Sequence, residues 1–200
     1  MPKKNISSIE LAALINELQC LIKGKFSQIY HQEKKELLFQ LHAPGKGKKL
    51  IKIVPGKFLC FTNKKETPTR PSGFCMLLRK YLSNAFIKAI YQKEAERIVV
   101  FELEKQEKFY LIIELFSKGN LILADKNHLI IGTLEWQKWK DRVVKPKETY
   151  IFPKPGFNWK KVNQKVLLEV LSKSEKRNLA ITLATEINLG GLYAEEVCKL

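Results

Sequence analysis

The chain is 200 residues long and 45% hydrophobic, enough for one sizeable core and a small second module. No apolar run reaches the length of a membrane span and no leader pattern opens the chain, so a transmembrane or secreted protein is set aside in favour of a cytoplasmic one. Lys and Arg total 36 against 20 Asp and Glu, and the resulting charge of +16 favours a polyanionic partner, with a generally basic proteome as the competing explanation.

Residues 7–22 read as a first helix. Ser7-Ser8-Ile9-Glu10 has capping-box spacing, and Leu11, Leu14, Ile15, Leu18 and Leu21 form the apolar stripe. Gly24 stops it. Short β-rich runs follow at 25–32 and 35–42, with Glu33-Lys34 as their turn. Runs at 49–54 and 58–62 pair across Pro55-Gly56. Residues 63–69 form a polar loop.

The segment 71–82 is a second helix with a marked start. Pro71 biases Arg70 toward an extended conformation, Ser72 is the N-cap and Gly73 opens the first turn. Phe74, Leu77, Leu78, Tyr81 and Leu82 make one buried stripe, and Arg79 and Lys80 fall off it. With Arg70, these cations read either as a solvated face or as a phosphate-binding helix start.

Strands are then expected at 85–92, 97–104, 109–116, 121–124 and 128–136, in an antiparallel meander. Residues 138–147 are basic and read as irregular. Trp136, Trp139, Tyr150 and Trp159, interleaved with Lys138, Lys140, Arg142, Lys145 and Lys147, read as a stacking-plus-cation surface or as the cover of a domain junction. A Pro-rich stretch at 150–158 marks a boundary, giving domains 1–156 and 157–200. Helices at 162–171 and 175–186, a break at Asn188-Leu189-Gly190-Gly191 and a last helix from 192 complete the chain, which reads as a fragment of a longer protein.

Four cysteines (Cys20, Cys60, Cys75, Cys198) lack any C-x-x-C pairing and read as reduced, mostly buried thiols. His31, His42 and His128 are isolated, so no metal is nominated. No P-loop, Rossmann or G-x-S-x-G pattern occurs, so no cofactor, small-molecule substrate or catalytic residue is expected. Two elements carry binding chemistry. Gly190-Gly191 between helices can present backbone N–H groups to a nucleic-acid phosphate, or serve as a plain turn. Glu96-Arg97 can hold an arginine ready to stack on a base or fork onto a phosphate, or be a surface ion pair.

Several segments, in order, resemble the N-terminal domain of the NFACT family of ribosome-associated quality-control proteins. They are Ile6-Ser7-Ser8-Ile9-Glu10-Leu11, the helix 71–82, Ala95-Glu96-Arg97-Ile98-Val99 and Glu114-Leu115-Phe116-Ser117-Lys118-Gly119-Asn120-Leu121. Leu189-Gly190-Gly191-Leu192-Tyr193-Ala194-Glu195-Glu196-Val197-Cys198 resembles the archaeal form of the following helix-hairpin-helix module. The resemblance implies an α+β fold: an antiparallel β-sandwich with flanking helices, like the N-terminal domain of formamidopyrimidine-DNA glycosylases, then the start of that module. It also implies binding of a stalled large ribosomal subunit carrying peptidyl-tRNA. Recruitment of tRNA would then extend the nascent chain, chiefly with alanine. The family's tRNA-engaging acid and Asp-Arg pair map to Glu10, Glu96 and Arg97, both acids being Glu where the family has Asp. Arg70, Arg79, Lys80, Gly190 and Gly191 complete the expected RNA-binding set. The alternative is a base-excision glycosylase on the same fold. Pro2 is present, but Lys3 stands where the glycosylase carboxylate belongs.

Overall fold

A computed structural model describes residues 5–33, 35–65 and 70–200. Pro2, Lys3, the turn residue Lys34 and the end of the 63–69 loop lie outside the described residues.

The capping box forms as its spacing predicts. Ser7 accepts from the Glu10 N–H at 3.1 Å, and the Glu10 carboxylate accepts from the Ser7 N–H at 2.8 Å. Helix α1 (Ser8–Leu18) runs from that cap and tightens into a 3-10 turn (Gln19–Leu21). Strands β1 (Lys25–Glu33), β2 (Glu36–Ala43), β3 (Gly47–Val54) and β4 (Phe58–Phe61) follow as an antiparallel meander. Helix α2 (Gly73–Leu82) is capped by Ser72, which accepts from the Cys75 N–H at 3.1 Å. Then come β5 (Phe86–Gln92), β6 (Ile98–Glu104), β7 (Lys108–Glu114), β8 (Asn120–Asp125) and β9 (Ile130–Thr133).

Hydrogen bonding joins all nine strands in the order β4-β3-β2-β1-β5-β6-β7-β8-β9. The expected two-sheet sandwich is therefore one continuous antiparallel sheet. Its halves meet along a short seam around the pair Lys25 with Phe86, where Lys23 N–H donates to Ile87 O and Ile87 N–H to Gly24 O, both at 2.8 Å, Phe26 N–H to Ala85 O at 3.0 Å and Asn84 N–H to Phe26 O at 2.9 Å. They still share one core: the Phe26 ring packs against Phe39 of its own half at 5.3 Å and against Phe101 of the other at 6.4 Å. Leu11 and Leu18 of α1 and Leu78 and Leu82 of α2 seal that core. At the far end the turn between β3 and β4 folds back, and the Gly56 N–H donates to Glu114 O at 3.0 Å.

Strands β6 to β8 are buried on both faces, which explains their near-continuous apolar runs. The second face packs Ile98, Val100, Ile112, Ile122 and Val144 together with Tyr150. The segment read as irregular makes this cover. It forms a small ribbon, β10 (Gln137–Lys138) with β11 (Val143–Val144), because Val144 and Tyr150 have an apolar face to bury against. Arg142 and Tyr150 are thus interior residues and not part of an exposed stacking surface. The cysteine expectation also needs correcting: Cys75 is buried, Cys20 and Cys60 are half-buried and Cys198 is exposed, because Cys198 sits at the solvated end of the last helix.

A 3-10 turn at Trp159–Lys161 leads to α3 (Gln164–Lys173), α4 (Leu179–Thr185) and α5 (Gly191–Val197). These bury a small cluster of their own around Leu183, Ile187 and Ala194. Among the described residues no helix is long and apolar enough to cross a membrane.

Candidate nucleic-acid interface

Three elements converge on a cavity of about 420 Å³: the start of α1 (residues 5–8), the β5–β6 connection (95–97) and the α4–α5 turn (188–190), with Phe116 between them. The floor is a polar hub on Ser8, a buried residue that falls on the same helical phase as Leu11 and Leu18. Its hydroxyl donates to Ala95 O and accepts from Trp159 Nε1 at 2.9 Å. Gln92 donates to Ser8 O at 3.0 Å and to Glu96 O at 2.9 Å. Lys160 Nζ in turn donates to Gln92 Oε1 at 2.7 Å, and partial burial pushes the Lys160 ammonium below its usual pKa. The hub ties the C-terminal helices to the sheet. Trp159 is therefore a junction residue.

Above the hub the backbone turns sharply, with Glu96 N–H donating to Lys93 O at 2.9 Å and Leu115 N–H to Arg97 O at 2.8 Å. The two side chains then diverge. Glu96 Oε1 accepts from the Gly156 N–H at 2.7 Å, which pins the Pro-rich linker. Arg97 is half-exposed on the cavity wall, and its guanidinium has no hydrogen bond or ion pair among the described residues. Adjacent in sequence, Glu96 and Arg97 do not form the mutual pair that the sequence reading allowed. Gly190 sits on the rim with φ +80, a left-handed conformation open to glycine, and a Cβ there would meet nothing within 4 Å. Gly191 begins α5 and is exposed.

The structure thus brings Glu96, Arg97 and Gly190 to one cavity, with Glu10 holding the α1 cap beside it. It does not bring Arg70, Arg79 or Lys80 there. Arg79 spends its Nε on Ile29 O at 2.8 Å and lies over the Tyr30 ring at 5.5 Å. Lys80 stands over Tyr81 at 5.5 Å beside a different cavity, and Arg70 is exposed before α2. Among the described residues no group of three His, Cys, Asp or Glu side chains could hold a metal ion.

A second polar cluster lies behind Phe116. Glu114, 1% exposed, accepts from Arg142 at 2.6 Å and from the Tyr150 hydroxyl at 2.8 Å. Arg142 also lies 4.4 Å over Trp139. Burial, reinforced by the Glu114 carboxylate, pushes the Tyr150 phenol far above its ordinary pKa. Sequence reasoning missed the Ser8 hub and this triad. Ser8's phase on the buried stripe was a readable signal; nothing local links Glu114 to Arg142.

A family model described as NFACT N-terminal and middle domains matches residues 7–200. The chain is similar to the archaeal Rqc2 homolog aRqcH of Methanocaldococcus jannaschii, with 34% identity over 98% of this chain and 31% of that protein. It is 30% identical to the human ribosome quality control complex subunit NEMF over 68% of this chain and 13% of that protein. Its fold matches the crystal structure of the N-terminal domain of fibronectin-binding protein PavA from Streptococcus pneumoniae. There the TM-score is 0.83 and the identity 25%, covering 96% of this chain and 79% of that one. The chain spans about a third or less of the length of these curated relatives.

Proposed function

The chain belongs to the NFACT family, and from that premise we propose that it is the RNA-binding domain of a ribosome-associated quality-control factor. In this reading it is non-catalytic and cytoplasmic. It engages a stalled large ribosomal subunit with peptidyl-tRNA and recruits tRNA for alanine-type extension of the nascent chain. The observation that carries the reading is the cavity that collects Arg97, the capped start of α1 and the Gly190 turn on a chain of +16. Arg97 is free to turn its planar fork onto a phosphate or a base. Glu96 organises that arginine's surroundings by holding the linker at Gly156, and Glu10 does so by holding the α1 cap. The exposed turn after Asn188 serves as the backbone-contacting hairpin of a helix-hairpin-helix module.

The test is a salt-titrated competition between labelled tRNA and duplex DNA carrying an abasic site, with borohydride trapping alongside. Preference for tRNA, no trapped adduct and an affinity that falls steeply with salt are expected. Arg97→Ala should lower tRNA affinity about tenfold, the loss of one charge-assisted hydrogen bond. A covalent adduct with the lesion would sink the reading.

A further inference from the structure

Beyond this cavity, at the opposite end of β5, the strand register lines up one exposed row. Lys25 of β1 pairs with His42 of β2, His42 with Lys48 of β3, and on the other side Lys25 pairs with Phe86 of β5. Directly paired residues share a face of the sheet, and all four are exposed. Phe86 is 52% exposed and makes no ring contact among the described residues. Lys25 and Lys48 have no ion-pair partner among the described residues. The next residue in the row, Glu104, is neutralised by Lys88 at 3.2 Å. At the Lys48 end a cavity of about 460 Å³ is lined by Lys46, Lys48, Lys49 and Phe61. The two lysines stand two strands apart with His42 between them, and Phe86 leaves about half of its surface in solvent, so the row offers cations and an aromatic face to a ligand.

We propose that the stripe Lys48–His42–Lys25–Phe86 is a second RNA-binding surface, on which an unpaired base stacks on Phe86 while the lysines hold the flanking phosphates. The inference rests on the RNA-binding reading above. An aromatic face is sequence-tolerant toward bases, and lysines spaced along a row follow a backbone. From Phe86 to Gln92 the strand rises about 20 Å at about 3.3 Å per residue, so this surface and the Arg97 cavity are separate contacts.

The experiment uses the whole 200-residue chain and two labelled RNA hairpins, one blunt and one with a single-stranded adenosine tail. Phe86→Ala is expected to weaken binding of the tailed hairpin about 5-fold or more and to leave the blunt one unchanged. Phe86→Trp should restore the affinity, with its emission quenched by the stacked base. Lys25→Gln with Lys48→Gln should weaken both and lower the salt slope by about 1 to 2. Equal binding of both hairpins by wild type and Phe86→Ala, while Arg97→Ala weakens them, would overturn this surface and leave the first reading standing. Absence of RNA binding by the wild-type chain would overturn both. Loss of binding to phosphatidylserine vesicles in the stripe variants, with RNA binding intact, would overturn it in favour of a membrane surface.

Discussion

Two acid–arginine couples lie on either side of Phe116, and they are built in opposite ways. Glu114 and Arg142 are 28 residues apart in the chain, buried, and closed on each other with Tyr150. Glu96 and Arg97 are adjacent, half-exposed, and do not touch: the acid is spent on Gly156 and the arginine is left open. The same two residue types therefore do different work. Inside, each charge is cut off from water and closed on the other and on Tyr150, and the cluster sets structure. At the cavity, solvent makes an unpaired guanidinium cheap to keep, and that leaves it available to a ligand.

Breaking the buried couple gives the largest effect. Arg142→Ala strands the Glu114 carboxylate and should cost about 3–5 kcal/mol, read as a drop of roughly 10 °C or more in melting temperature. Replacing Glu114 and Arg142 together by apolar residues of similar volume should recover much of that, because no lone charge remains.

Just beyond Glu114, Gly119 has φ +68, and a Cβ there would come 1.9 Å from Gly56 N. Gly119→Ala should cost about 1–3 kcal/mol in denaturant unfolding, since the three atoms it would meet, Gly56 N, Pro55 C and Gly56 Cα, are all backbone.

The interior also carries a pH signature. The Tyr150 phenol is held up by burial first and then by Glu114, and burial pushes Tyr91 up to about 12. Raised pKa values give stability that is present below pH 10 and lost as pH climbs through the folded values. Lys160 has the opposite sign, but its window closes by its ordinary 10.5. Stability should therefore fall between pH 10 and 12, and Tyr91→Phe should flatten part of the fall. An unchanged slope would remove Tyr91 from the account.

At the cavity the expected stability effects are the smallest. Arg97→Ala should change unfolding by no more than about 0.5 kcal/mol while lowering RNA affinity. Glu96→Gln keeps an acceptor for Gly156 and should be near neutral; a large loss there would mean that the carboxylate's charge, and not its hydrogen bond, matters.

Most of the fold was legible because it rests on local rules. Ser7 and Glu10 cap α1, Ser72 caps α2, and the runs expected from 25 to 124 became strands within a residue or two, while the last, expected at 128–136, is the shorter Ile130–Thr133. The joining of the halves into one sheet was not legible, since it depends on a short seam between residues 23–26 and 84–87, about 60 positions apart. Of the candidate site, Glu96, Arg97 and Gly190 were readable as a set only through the resemblance. Arg79 was misplaced because a helical face tells which way a cation points, not that Ile29 O awaits its Nε. The Glu114–Arg142–Tyr150 cluster was invisible, because a buried charge looks like a surface charge until its partner is known.

The short joint between β1 and β5 also sets where the molecule should breathe. Each half is a run of adjacent strands, stitched along its whole length, whereas the seam is short: among the described residues four backbone hydrogen bonds cross it, between residues 23–26 and 84–87, around the Lys25–Phe86 pair. The amides bonded across that short seam, those of Lys23, Phe26, Asn84 and Ile87, should open by local fluctuation below the free energy of global unfolding and exchange with deuterium before the amides in the middle of β6 and β7. The proposed RNA stripe crosses the seam there. A polynucleotide lying along it would act as a splint, and slower exchange at residues 24–26 and 85–87 on adding RNA would register it without any change in shape.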